Sequence, residues 1–311
     1  MRPALLLKIA RRNDVALPAT TEHELRELYE FRDFRHFIAV YASVVRALRT
    51  EEDFRDVVLD YAEQAVAQGA VYMEAIFGPT NSAREGVPWD AIFSGYSEGA
   101  AEAFEKLGIT VLLTPDMGRE FSMEEAELTL HYALKHRDRG VVGIGLGGLE
   151  ADYPPELFES LFSRARAEGL ASVPHAGEAA GPESVRGALE ALGADRIRHG
   201  IRAVKDVSLV EELRDRRIVL DVCPISNLRT GVVKDLSQHP LPDLVRAGVP
   251  CSLSTDDPAM FDTDLVREYD AAISLGLDAR AFYDAGVHGA LCSRAEKQRL
   301  RAIRDSYAWS G

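Results

Sequence analysis

Cysteine is scarce: the 311-residue chain has three, at positions 223, 251 and 292. They are widely spaced and odd in number, and no Cys-x-x-Cys pair occurs. This argues against a disulfide framework or a zinc ribbon and fits a reducing cytoplasm. Basic charge is also in deficit, with 36 Lys and Arg against 50 Asp and Glu for a net charge of −14. Without a basic patch, nucleic-acid backbone is not an expected partner, while a small or locally cationic substrate remains open. Long apolar runs are missing too. The longest are strand-length, such as residues 109–113, far short of the ~20 residues that a membrane helix needs. Residues 1–7 combine one charge with a short apolar run, but charged residues follow at once, so no signal peptide is expected. No Pro/Gly/Ser linker, charge block or low-complexity tract divides residues 1–311, which read as a single domain.

What is present is enough for a large core: 46% hydrophobic and 28% charged residues, the balance of an ordered globular chain. The first 68 residues read as helical. Phe34, Phe37, Ile38, Tyr41, Val44, Val45 and Leu48 recur at helical spacing, and Thr21 with Glu24 and Thr50 with Asp53 have capping-box spacing. From there on the pattern alternates. Short apolar, β-rich runs at 70–77, 109–114, 141–146, 170–174, 196–199, 218–222 and 250–254 are separated by amphipathic stretches, many ending in Gly (69, 108, 140, 169, 248). Continuous rather than alternating apolar runs mean strands covered on both faces, hence a parallel sheet. Seven βα units approach the eight of a TIM-type (β/α)8 barrel. One strand is missing from that count, and the helical opening places it before Met1.

In such a barrel the reactive side chains sit at the carboxyl ends of the strands. Polar groups follow four of the apolar runs directly: Gly-Leu-Gly-Gly-Leu-Glu (145–150), Pro-His-Ala-Gly-Glu (174–178), Arg-His-Gly (198–200) and Ser-Thr-Asp-Asp-Pro (254–258). Imidazoles, a glutamate and adjacent aspartates form a set suited to metal-assisted hydrolysis. Each has an ordinary reading as well. A lone strand-end His is more often structural, Asp-Asp-Pro is commonly a helix N-cap, and the glycine run is a weak phosphate signal or simply a turn. The remaining histidines, at 23, 36, 131, 136, 239 and 288, read as structural or solvated. Four polar strand ends in ordered succession favour chemistry.

These residues resemble the adenosine deaminase family of the metal-dependent amidohydrolases, over a stretch from about Leu5 to about Ala290. The markers are His175-Ala-Gly-Glu178, Arg198-His199-Gly200, Cys223-Pro-Ile-Ser-Asn227 and Ser254-Thr-Asp256-Asp257-Pro258. The resemblance implies Zn2+ as cofactor, one per chain, with His175 and Asp256 as ligands. It implies that Glu178 protonates the ring nitrogen beside the amino-bearing carbon. His199 would orient the attacking water and help deprotonate it, and Asp256 would contact that water. Asp257 would bond the five-membered ring of the purine, and the Gly148 backbone another ring nitrogen. The unrelated zinc deaminases with P-C-x-x-C are excluded, because Pro250-Cys251 lacks the second cysteine.

The chain departs from the family pattern in two places. The family begins with a strand ending in a His-x-His zinc pair, whereas no His-x-His occurs here and residues 2–13 resemble the helix that follows it. The chain is therefore expected to start after the first strand, with half of a four-ligand zinc set, weak zinc binding and little turnover. In addition, Gly145 and Leu149 stand where adenosine-specific members usually carry Asp, and residues 74–77 lack a common Arg. The ribose side of the pocket is thus expected to differ. The leading expectation is hydrolytic deamination of a 6-aminopurine nucleoside, adenosine or a relative of it. The alternatives are aminodeoxyfutalosine deaminase or adenine deaminase, another amidohydrolase reaction, or a metal-poor purine-binding homologue with little activity.

Overall fold

The computed structural model describes residues 1–309, which form two compact units. The first comprises Met1–Leu149 with Asp257–Asp262, and the second Glu150–Asp256 with the residues from 263 onward.

The first unit opens with four helices, Pro3–Arg12, Glu22–Leu28, Phe34–Val45 and Glu51–Ala67. The two capping boxes read from the sequence are both made. Thr21 and Thr50 each accept from the backbone N–H three residues on, and Glu24 and Asp53 reach back to the cap N–H. These bonds satisfy donors that a helix start leaves without an intrahelical partner. Three strands follow: β1 (Tyr72–Phe77), β2 (Thr110–Gly118) and β3 (Gly143–Gly147). β1 and β2 run parallel in register from Tyr72 opposite Thr110 to Phe77 opposite Pro115, and β2 runs parallel to β3 with Asp116 opposite Gly145. Helix Trp89–Leu107 lies against Glu51–Ala67 through two glycines. A Cβ at Gly95 would sit 2.3 Å from the Glu51 carbonyl oxygen, and one at Gly99 2.7 Å from Val58 Cβ.

The second unit carries β4 (Ala171–Ser172), β5 (His175–Ala176), β6 (Arg196–His199), β7 (Val219–Val222) and β8 (Cys251–Leu253). β5 to β8 pair in chain order, all parallel. The run expected at 170–174 is a strand only over Ala171–Ser172, and the next strand starts at His175, after Pro174, which has no N–H to give to a ladder. Core side chains such as Val185, Ile197, Leu209, Leu220 and Phe282 are almost wholly buried. A buried polar set crosses this sheet: Asp221 accepts from Arg196 Nε and from Ser252 Oγ, both at 2.6 Å. Each charge therefore meets its hydrogen-bond complement in a poorly solvated place.

The glycines expected to close helices at 69, 108, 140, 169 and 248 all have positive φ, between 71° and 97°. Among the described residues, no helix is long and apolar enough to cross a membrane.

Candidate metal centre and deaminase site

Four residues singled out from the sequence lie together in the second unit. His175 opens β5 and His199 ends β6, where β5 and β6 pair His175 with Arg198 and Ala176 with His199. The two imidazole centroids are 5.4 Å apart. Asp256 follows β8. Among the described residues, His175, His199 and Asp256 form a group whose donor atoms all lie within 4.8 Å of one another. Glu178 stands at the turn after β5, its Oε2 3.4 Å from His199 Nε2, and that nitrogen is 3.9 Å from Asp256 Oδ2.

The backbone is bent to deliver them. His199 and Asp256 have φ of +62° and +53°, a left-handed conformation that side-chain-bearing residues adopt infrequently and that tends to cluster at functional positions. Gly177, between the two polar residues of the β5 turn, has φ +70°, and a Cβ there would lie 2.3 Å from Val185 Cγ2.

Neighbouring groups hold the four in place. Ser226 Oγ donates to Asp256 Oδ2 at 2.7 Å, and Asn227 Nδ2 lies 3.3 Å from His199 Nδ1. These are the Ser and Asn of the Cys223–Asn227 motif, which the sequence offered without separate tasks. Glu150 was not singled out, yet its buried carboxylate accepts from four successive backbone N–H groups: Gly177, Glu178 at 3.1 Å, Ala179 at 2.7 Å and Ala180 at 3.0 Å. The Glu178 carbonyl accepts from Arg202 Nε at 2.7 Å. The turn that presents Glu178 is thus tied down by an anion enclosed by N–H dipoles. His239 is buried, with Nε2 3.2 Å from Asn227 Oδ1. Nothing in the sequence pattern marked it.

Burial dominates the electrostatics. It pushes the Glu178 carboxyl well above the usual range, and the charges of Asp256 and Glu150 add to that. Glu178 Oε1 is buried without a hydrogen-bond partner among the described residues. Burial likewise lowers His199, to about 4, against the pull of Asp256.

Gly148 and Asp257 belong to the first unit. Gly148 follows β3 with φ +94°, and a Cβ there would lie 2.0 Å from Glu120 Oε2. Asp257 precedes the short helix Pro258–Phe261, but its side chain makes no cap bond to that helix. The simple N-cap reading of Asp-Asp-Pro is therefore not what the structure shows. Its charge adds to burial in raising the Tyr29 hydroxyl to about 12.

The adenosine deaminase family model matches residues 1–308. The aminodeoxyfutalosine deaminase of Acidothermus cellulolyticus is 47% identical over 99% of this chain and 89% of its own length. Among solved structures, an adenine deaminase from Arthrobacter aurescens matches with a TM-score of 0.89 at 30% identity, covering 98% of this chain and 94% of that one. An amidohydrolase from Burkhoderia ambifaria with bound Zn matches at 0.88 and 26% identity, covering 98% and 86%. The α/β barrel class expected from the strand count is the class of these relatives. With a family match along nearly its whole length and acid, imidazole and carboxylate groups gathered at strand ends, the chain belongs to the adenosine deaminase family and is a hydrolytic purine deaminase.

Proposed function

We propose that the chain deaminates aminodeoxyfutalosine, the adenosine-like nucleoside named for its 47%-identical relative, in place of the adenosine that leads the sequence-based expectation. That likeness, spanning 99% of the chain, is the observation that carries the reading. Gly145 and Leu149 support it, since both depart from the adenosine-specific pattern. The adenine deaminase with a TM-score of 0.89 favours free adenine as the second reading.

His175 and Asp256 offer the nitrogen and oxygen donors that zinc takes, and the Zn-bound neighbour supports zinc as the ion. When bound, zinc supplies a Lewis acid that brings water to nucleophilic strength near neutral pH. The residues handle the protons. Glu178, whose carboxyl burial pushes well above the usual range, gives its proton to the ring nitrogen as the water oxygen bonds to the amino-bearing carbon. One water proton passes through Asp256 to the amine as the carbon–nitrogen bond breaks and ammonia leaves. The other restores the proton on Glu178. His199 faces the attacking oxygen. The scarcity and wide spacing of the three cysteines support a reducing cytoplasm as the compartment.

The test is ammonia release by zinc-loaded protein with aminodeoxyfutalosine, adenosine and adenine. The expected order of kcat/KM places aminodeoxyfutalosine first. A higher value for adenine would install the second reading, and a higher value for adenosine would overturn both.

A further inference from the structure

A backbone N–H can only donate, so it sets the polarity of the side chains bonded to it. Leu241 N donates to His239 Nδ1 at 3.1 Å. Burial lowers His239 to about 4, so the ring is neutral near pH 7 and its single proton sits on Nε2. That nitrogen faces Asn227 Oδ1 at 3.2 Å, which orients the amide: oxygen toward His239, NH2 toward His199. Asn227 Nδ2 then donates to His199 Nδ1 at 3.3 Å. Asn227 is itself rigid, with its N–H on the Cys223 carbonyl at 3.0 Å and its carbonyl accepting from Val233 N at 2.9 Å. All three side chains are at most 3% exposed.

We infer that Asn227 and His239 are positioning residues that hold His199 as an Nε2–H imidazole, restricting it to donating a hydrogen bond toward the attacking oxygen. With Nδ1 occupied as an acceptor and Nε2 carrying the proton, the neutral ring has no lone pair to offer a metal ion. The relay thus removes His199 from the three-residue donor group and leaves His175 and Asp256. It also assigns the task of taking the water proton to a carboxylate. This inference rests on the proposed role of His199 facing the attacking oxygen, but the tautomer itself can be read without turnover.

The experiment uses protein labelled with 15N-histidine and two-bond 1H–15N correlation spectra, assigned with His199→Gln and His239→Gln. The wild type is expected to show pyrrole-type Nε2 and pyridine-type Nδ1 at His199. Asn227→Asp is isosteric but offers an acceptor where the amide donated, so it should move the His199 proton to Nδ1. It should lower kcat by roughly 10²-fold or more, the scale of a misplaced acid–base group, with KM little changed. His239→Phe, which removes the donor to Asn227, provides the same test should the Asp variant not fold. His239→Gln keeps a donor and should retain the wild-type His199 pattern. An Nδ1–H wild-type His199, or an unaltered pattern in both Asn227→Asp and His239→Phe, would overturn the relay. The expected tautomers in a protein that deaminates none of the three substrates would uphold the relay and defeat the function reading.

Discussion

Glu178 and Asp256 are both buried or half-buried acids within reach of His199, yet they should respond differently to amide substitution. Glu178→Gln keeps the shape of the side chain and touches no proposed ligand. With a first strand bearing the His-x-His pair joined to the chain, zinc content should stay at the level of the unsubstituted protein while deamination falls by about 10²–10⁴-fold, because an amide has no proton to give the ring nitrogen. Asp256→Asn should lose both zinc and rate, since a neutral amide is the poorer ligand, although Ser226 Oγ can still donate to its oxygen. Metal analysis alongside ammonia release separates the two outcomes. A third acid is structural. Glu268 is fully buried, accepts from Ile225 N at 3.1 Å and Thr263 Oγ1 at 2.8 Å, and burial raises it from 4.5 to about 7. Because its folded pKa lies above the unfolded one, the stability it contributes is complete below about pH 4.5 and is lost as pH rises through about 7. Each pKa unit corresponds to about 1.4 kcal/mol. Glu268→Gln, neutral at every pH, should therefore gain in melting temperature relative to wild type between pH 5 and pH 8; a difference independent of pH would refute this.

At the scale of elements, the turn after β5 shows what the sequence could and could not disclose. His175 and Glu178 were legible because imidazole and carboxylate three residues apart, after an apolar run, have few structural uses at a strand end. Glu150 was not. It works by accepting backbone N–H groups, and backbone donors leave no mark on residue identity at 177–180. His239 was illegible for a related reason, lying forty residues from His199 and acting through Asn227. The helices came through more clearly, since capping boxes are local and need only residues three apart. The strand at 170–174 was misjudged in extent because its apolar pattern reaches Pro174, whereas the strand there spans only Ala171–Ser172. Glu150→Gln leaves one acceptor oxygen where two served four donors, a loss of order 1–3 kcal/mol. The variant should melt at lower temperature and lose kcat, because the Glu178 turn is no longer held and a charge that raises Glu178 is gone. Unchanged melting and turnover would remove Glu150 from the account of this site.

For the molecule as a whole, an excess of 14 negative charges suits a catalyst of small molecules better than a binder of polyanions. The three thiols offer a test of how the whole chain is packed. Cys223 and Cys251 are buried and Cys292 is partly exposed; burial raises Cys251 to about 12 and pushes Cys223 well above the usual thiol range. Thiolate, not thiol, is the reactive species. A folded sample treated with iodoacetamide should therefore carry its label at Cys292, with the other two appearing only in denaturant, as peptide mass mapping would show. Rapid labelling of Cys223 in the native protein would contradict the packing described for β7 and its neighbours.

The left-handed backbone at His199 and Asp256 has a bearing on how this enzyme can be improved. Each residue sits where glycine would be at ease, and the strain of keeping a side chain there is on the order of 1 kcal/mol. Heat resistance and chemistry therefore pull in opposite directions at two named positions. Glycine at 199 or 256 would relieve that strain, but it would leave a void and orphan Asn227 or Ser226, and the product would be inert. Thermostabilisation should begin by freezing those two codons and seek its gains elsewhere in the chain.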